Sequence, residues 1–205
     1  QKGLLPEAIV NYLMLLGWAP GQNQEIIGLS AAVSKFSIKK INKAGAVFSM
    51  EKLTWVNAQY IKQTPDEKLA ELLVPLLQKQ GFIGDNYDRK NLESIVKLYK
   101  TRTPTLNDFL DRTAFIFVDQ LELDDAAKAK LGEKARRQEF QQLSERLQTL
   151  AVFSAENAER VFREVVAELG VTSGDLVHPV RLALTGSDVG PGLFVKKCQT
   201  LRRFE

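Results

Sequence analysis

Three arginines and a single histidine stand where this sequence could meet a ligand: Arg102, Arg112, Arg181 and His178. A guanidinium is a planar fork of five N–H donors that holds bases, phosphates or carboxylates at two points and stacks on flat rings. Arg181 sits in His178-Pro179-Val180-Arg181-Leu182-Ala183-Leu184-Thr185-Gly186-Ser187, the one charge between Asp175 and Asp188. Gly190-Pro191-Gly192-Leu193-Phe194 follows it as a tight turn, expected to open a second helix. Arg102 lies in the helix-end turn Lys100-Thr101-Arg102-Thr103-Pro104, with Arg112 one helix later. Arginines beside turns with free backbone groups can read unpaired bases and stack on them. Each taken alone also describes an ordinary surface arginine, salt-bridged or snorkelling from a packed helix.

Catalysis has less to work with. His178 directly precedes a proline and has no carboxylate, serine or cysteine at triad-like spacing, so a structural or helix-capping role is expected of it. Cys198, between Lys197 and Gln199, reads as an inert thiol. The pairs Asp124-Asp125 and Glu67/Glu71 are ordinary solvated helix charges. Gly186, Gly190 and Gly192 follow no strand and precede no Lys-Ser/Thr, so they make no phosphate loop. No catalytic centre and no metal site can be nominated.

The elements that must position the arginines are helices. Pro6-Glu7 opens one through about Leu16, with Ile9, Leu13 and Leu16 as its buried stripe. Ser30 is expected to cap a short helix to Phe36, and Ile38 to Phe48 reads as loop or short strand. Ser49 caps a helix over about 50–61, with Leu53, Val56 and Tyr60 on one face. Thr64-Pro65-Asp66-Glu67 has the form of a capping box, followed by Leu69, Leu72, Leu73, Leu76 and Leu77, with Pro75 inside and Gly81 as the stop. Leu92, Ile95, Val96 and Tyr99 share a stripe, and Thr105 caps the helix carrying Leu106, Phe109, Leu110 and Phe115. A short helix runs from Asp124 to Leu131, ended by Gly132. Phe140, Leu143, Leu147 and Leu150 form the next stripe, and Ser154 caps a helix ending at Gly170. No strand-period alternation is sustained after Gln63, so the fold is expected to be mainly all-α, ending in a helical bundle or cage.

Length suits one large domain or two small ones, and the hydrophobic content of 44% suffices for a real core. No apolar run approaches a membrane span and no signal peptide opens the chain. One cysteine excludes a disulfide framework and fits a reducing compartment. The first residue is Gln1, as expected of a processed or shortened piece of something longer. Net charge is +3, but residues 1–62 hold seven lysines against three glutamates. That excess of +4 suits a polyanion partner for the first part. Any nucleic-acid contact of the second part must rest on local arginines. Composition and spacing leave two classes open: an RNA-binding module, or a helical protein-interaction module without RNA binding.

Three motifs resolve into a resemblance. Gly3-Leu4-Leu5-Pro6-Glu7-Ala8-Ile9-Val10-Asn11-Tyr12-Leu13, ending in Leu15-Leu16-Gly17-Trp18, resembles the segment after the KMSKS-type loop of glutamyl-tRNA synthetases. Ala46-Val47-Phe48-Ser49-Met50-Glu51-Lys52-Leu53, with Trp55, Asn57 and Tyr60-Ile61, resembles the next signature. His178 to Gly186, with Pro191-Gly192-Leu193-Phe194, is similar to the C-terminal signature of the bacterial and organellar form. The resemblance implies a stem-contact region over 1–62. An all-helical anticodon-binding domain would fill 63–205, divisible at about 118. No HIGH or KMSKS motif is present, so ATP and Mg²⁺ would serve the full-length ligase, and no cofactor is assigned to this chain.

By the same resemblance Arg181 matches the arginine that reads the anticodon. Leu193 matches a position that packs on an anticodon base or bonds it through its backbone. Gly190 falls where some members carry threonine, which leaves backbone contacts only. Arg102 matches the position where an arginine accompanies preference for cytosine as first anticodon base, whose adjacent N3 and O2 suit a guanidinium fork. Lys39, Lys40, Lys43 and Arg112 are candidate contacts to the RNA backbone. The expected partner is tRNA-Glu, the expected state a monomer, and the expected place the cytoplasm or an organellar matrix, without membrane attachment. The tail after Phe194 is shorter than the family's.

Overall fold

The computed structural model describes residues 2–21, 24–42, 45–118, 120–123, 125–133, 137–187 and 190–194, and every regular element among them is helical. The expected all-α class is borne out. The chain forms two compact units: Gln1–Gln80 with Tyr87–Asp111, and Gly81–Asn86 with Arg112–Glu205. The boundary expected at 62/63 falls inside the first unit.

In the first unit α1 (Pro6–Gly17) packs on α3 (Met50–Gln63). Proline at the first position of α1 costs no hydrogen bond and Glu7 faces the positive end of the dipole. The buried face is not the expected one. Ala8, Asn11 and Tyr12 are buried, whereas Leu13 is 55% exposed and Ile9 and Leu16 are half-buried. The reason is a polar seam that an apolar count overlooks. Asn11 is wholly buried. Its Oδ1 accepts from the Ile27 N–H at 2.8 Å and from the Tyr60 hydroxyl at 2.9 Å, and its Nδ2 donates to the Glu25 carbonyl. A carboxamide satisfied on both ends stabilises the interior where an unpaired one would cost free energy.

Between them, α2 (Leu29–Lys35) begins at Gly28 rather than at a Ser30 cap, and Ser30 is exposed. The segment expected as loop or strand holds a 3-10 turn, Ile38–Lys40, and one isolated bridge between Trp18 and Ile41. Ser49 caps α3 as expected, accepting from the Lys52 N–H at 3.1 Å, while its own N–H donates to the Tyr12 hydroxyl at 2.6 Å. The expected capping box at Thr64 is absent. Pro65 takes the cap position of α4 (Asp66–Lys79), and the Thr64 hydroxyl turns back to the Tyr60 carbonyl. Proline has no N–H and holds an extended backbone, so Thr64 closes the previous helix instead of opening the next. Pro75 lies within α4 without ending it.

Helix α5 (Arg89–Tyr99), capped by Asp88, packs on α4 and buries Leu92, Ile95, Val96 and Tyr99 as expected. A 3-10 turn, Lys100–Arg102, follows. Then comes α6 (Leu106–Phe117), where Thr105 Oγ1 accepts from the Asp108 N–H at 3.0 Å.

The second unit contains α7 (Asp125–Glu133), which runs through Gly132 instead of stopping there. In α8 (Arg137–Gln148) the helix ends before Leu150, which still packs on the core. Ser154 caps α9 (Ala155–Leu169), which closes at a left-handed Gly170. The last helix among the described residues, α10 (Ser173–Thr185), starts well before His178: Thr172 and Asp175 form the reciprocal capping box. His178 is therefore mid-helix and exposed, not a cap. The core joins Leu143 and Leu147 of α8, Val161, Phe162 and Val165 of α9, and Leu176 and Val180 of α10.

Candidate nucleic-acid interface

The C-terminal turn is built onto that core. Gly186 ends α10 at φ 72°, a left-handed conformation glycine adopts without a Cβ penalty. The Thr185 hydroxyl lies 2.9 Å from the Arg181 carbonyl and accepts from the Ser187 N–H at 3.2 Å, turning the chain back. Pro191 and Leu193 are buried, Leu193 at 6% exposure within the α8–α10 core, and the Phe194 ring lies 5.1 Å from that of Phe162. Three side chains thus bolt the turn down.

Arg181 stands between buried Val180 and Leu182 and is itself half-buried. Its Nη2 donates to the Pro191 carbonyl at 3.3 Å. A Cβ on Gly190 would lie 3.7 Å from Arg181 Cδ and 3.9 Å from Nε. The structure therefore brings together Arg181, Gly190 and the Pro191–Leu193 backbone. With its side chain in the core, Leu193 has backbone rather than side chain for any contact. The second helix expected after the turn is not seen at Leu193 and Phe194, which are in a turn; residues from 195, and Cys198 with them, lie outside the described residues.

Arg102 is exposed at the end of its 3-10 turn in the first unit, as are Lys39 and Lys40 on theirs. Arg112 is half-buried on α6 and belongs to the second unit. Lys43 and Asp124 fall outside the described residues. Among the described residues no group of three His, Cys, Asp or Glu side chains could hold a metal ion, and no helix is long and apolar enough to cross a membrane.

Two contributors escaped the sequence reading. Lys100 pairs with Asp66 at 2.6 Å and donates to the Thr64 carbonyl at 3.1 Å. Asn57, noted only as part of a signature, is wholly buried and bonds both the Leu5 N–H and the Pro104 carbonyl. A polar residue on the buried side of an amphipathic helix was the available signal.

Comparison with known proteins gives this geometry a context. A sequence model described as "Anticodon binding domain" matches residues 68–196. The chain is 39% identical over 195 residues to glutamate–tRNA ligase 1 of Caldanaerobacter subterraneus subsp. tengcongensis, covering 95% of this chain and 40% of that protein. It is 38% identical over 197 residues to the glutamate–tRNA ligase of Syntrophobacter fumaroxidans, covering 95% and 41%. Among solved structures, a glutamate tRNA ligase from Elizabethkingia meningosepticum in complex with its amino acid superposes with a TM-score of 0.77 at 28% identity, over 98% of this chain and 40% of that one. The chain thus spans about two fifths of the length of these relatives, and corresponds to their C-terminal part. Matched by the family's model over most of its length, the chain belongs to the anticodon-binding domain family.

Proposed function

We propose that this chain reads the anticodon of tRNA-Glu as the C-terminal portion of a glutamate–tRNA ligase. The observation that carries the reading is the Arg181 guanidinium, held beside Gly190 and bonded to the Pro191 carbonyl. A guanidinium anchored to the Pro191 carbonyl and backed by the turn suits recognition of a splayed base, because little side-chain freedom is left to lose on binding. In this reading Arg181 and the Gly190–Leu193 backbone contact the anticodon, and Arg102 meets one of its bases. Exposed Lys39 and Lys40, with Lys43 and Arg112, neutralise phosphates. Residues 1–62 serve as the stem-contact region and 63–205 as the anticodon-binding domain, in a monomer working in the cytoplasm or an organellar matrix. Aminoacylation, with its ATP and Mg²⁺, belongs to the whole ligase.

A second reading, a helical protein-interaction module, is favoured by the apolar surface of the first unit. Leu29, Val33, Ile38 and Val47 are 60–86% exposed. A filter-binding titration with tRNA-Glu decides between the two. Tight binding that weakens steeply with salt, and by about 1–3 kcal/mol in Arg181→Ala, supports anticodon reading. Binding indifferent to salt and to anticodon sequence sinks it.

A further inference from the structure

One hydroxyl joins the end of α10 to the turn that follows it. Thr185 Oγ1 lies 2.9 Å from the Arg181 carbonyl and 3.0 Å from the Ser187 carbonyl, and accepts from the Ser187 N–H at 3.2 Å. In a longer helix that N–H would donate to the carbonyl four residues back. Here the threonine side chain takes it, while the Gly186 N–H still bonds the Leu182 carbonyl at 2.9 Å. Thr185 is half-buried, and the bend beside it is covered: a Cβ on Gly186 would lie 3.8 Å from Leu121 and 3.9 Å from Leu123. The far end of the turn is fixed as well. Leu193 is seated in the core, the Phe194 ring lies against Phe162, and the Pro191 carbonyl accepts from Arg181 Nη2 at 3.3 Å. Arg181 is thus held at its root by Thr185 and at its tip by the turn, and Thr185 also holds the start of that turn.

From this arrangement we infer that Thr185 is a positioning residue for Arg181, setting its guanidinium against the Pro191–Leu193 backbone without itself touching RNA. The inference rests on the reading of Arg181 as an anticodon contact. The bonds form a closed ring. It runs from the Arg181 carbonyl to the Thr185 hydroxyl, from the hydroxyl to Ser187, along the chain to Pro191, and back through its carbonyl to Arg181 Nη2. Without the hydroxyl the ring opens, and the turn can shift against the helix that carries Arg181. Reading a base edge demands placement within about 0.5 Å, so a small shift costs discrimination before it costs the fold. It also returns to the side chain freedom that binding must then freeze. Threonine suits the task because one hydroxyl both donates and accepts, which lets it meet a carbonyl of the helix and an N–H of the turn together. Valine has the same outline and can do neither.

The test titrates the protein with tRNA-Glu transcripts carrying the native anticodon or one altered anticodon base at a time, and reads the ratio of affinities at fixed salt. Arg181→Ala should collapse that ratio at the base it reads. Thr185→Val should reduce it roughly three- to tenfold at the same base, and should reduce it no further when combined with Arg181→Ala. Thr185→Ser, which keeps the hydroxyl, should restore it. A capping role alone would lower the melting temperature, or both affinities together, and leave the ratio in place. If Arg181→Ala collapses the ratio while Thr185→Val keeps it at the wild-type value, the positioning role is overturned and the reading of Arg181 stands. A serine variant as poor as the valine one overturns it too, since the loss then follows the methyl group. If Arg181→Ala leaves every ratio unchanged, or the wild-type chain does not distinguish the transcripts, the reading of Arg181 falls, and the inference with it. Should Thr185→Val fail to fold, Thr185→Ala, which also lacks the hydroxyl, decides in its place.

Discussion

Arg181 and Pro191, ten residues apart along the chain, are joined by a hydrogen bond of 3.3 Å from the guanidinium to the proline carbonyl. The bond spans the end of α10 and the turn after it, so the helix and the turn present one surface. A lysine would keep the charge but lose the planar fork that can hold the carbonyl and a base together. Arg181→Lys should therefore retain the salt dependence of tRNA binding while losing about 1–3 kcal/mol of affinity for the cognate anticodon. Titrations at several salt concentrations, with cognate and altered anticodons, check this. Wild-type affinity in the lysine variant would reduce the role of Arg181 to its charge.

Gly190 offers a contrasting case. Its Cβ position meets Arg181 Cδ only at 3.7 Å, an ordinary van der Waals distance, and its φ lies outside the left-handed region. Gly190→Ala should change stability by less than about 0.5 kcal/mol and leave the thermal transition nearly in place. Any effect on tRNA affinity would then report the bound state. A shift of several degrees in melting temperature would show that the turn needs glycine for its own sake.

Tyr60 links stability to alkaline pH. Its hydroxyl donates into the seam formed by Asn11 Oδ1 at 2.9 Å and the Ile27 carbonyl at 3.0 Å. Burial, reinforced by the negative charge of Glu7, raises its pKa above the ordinary 10.0. A raised folded-state value means that the stabilisation is complete below pH 10 and is lost as pH climbs through the folded-state value, because the unfolded tyrosine ionises first. Tyr60→Phe should cost about 1–2 kcal/mol at pH 7, and the gap to wild type should narrow above pH 10 in denaturant titrations. A gap independent of pH would remove ionisation from the account.

The helices were legible in the sequence because local rules set them. Ser49 and Ser154 cap where expected, and the stripe Leu92, Ile95, Val96, Tyr99 is buried as its spacing demands. Leu13 was assigned to the core and Asn11 was not, since an apolar count cannot foresee that a carboxamide will find three partners from residues 14 to 49 positions away. Thr64 was given a capping box whose hydroxyl goes backwards to Tyr60, because the proline after it governs the backbone. Of the candidate site, Arg181 with its turn could be read from one continuous segment. The pairings of Lys100 with Asp66 and of Asn57 with Leu5 could not, because each joins residues far apart in the chain.

Asn11 and Asn57 have a further consequence as a pair. Both lie on the facing helices α1 and α3, and both are wholly buried. Apolar side chains alone would let two such helices slide by a turn at modest cost, since one leucine replaces another against a smooth neighbour. A carboxamide has no such tolerance: displaced by one turn, it leaves its own groups and those of its partners stranded in the interior. The two amides therefore act as a vernier, two marks that coincide in a single alignment and give the packing of α1 on α3 one answer.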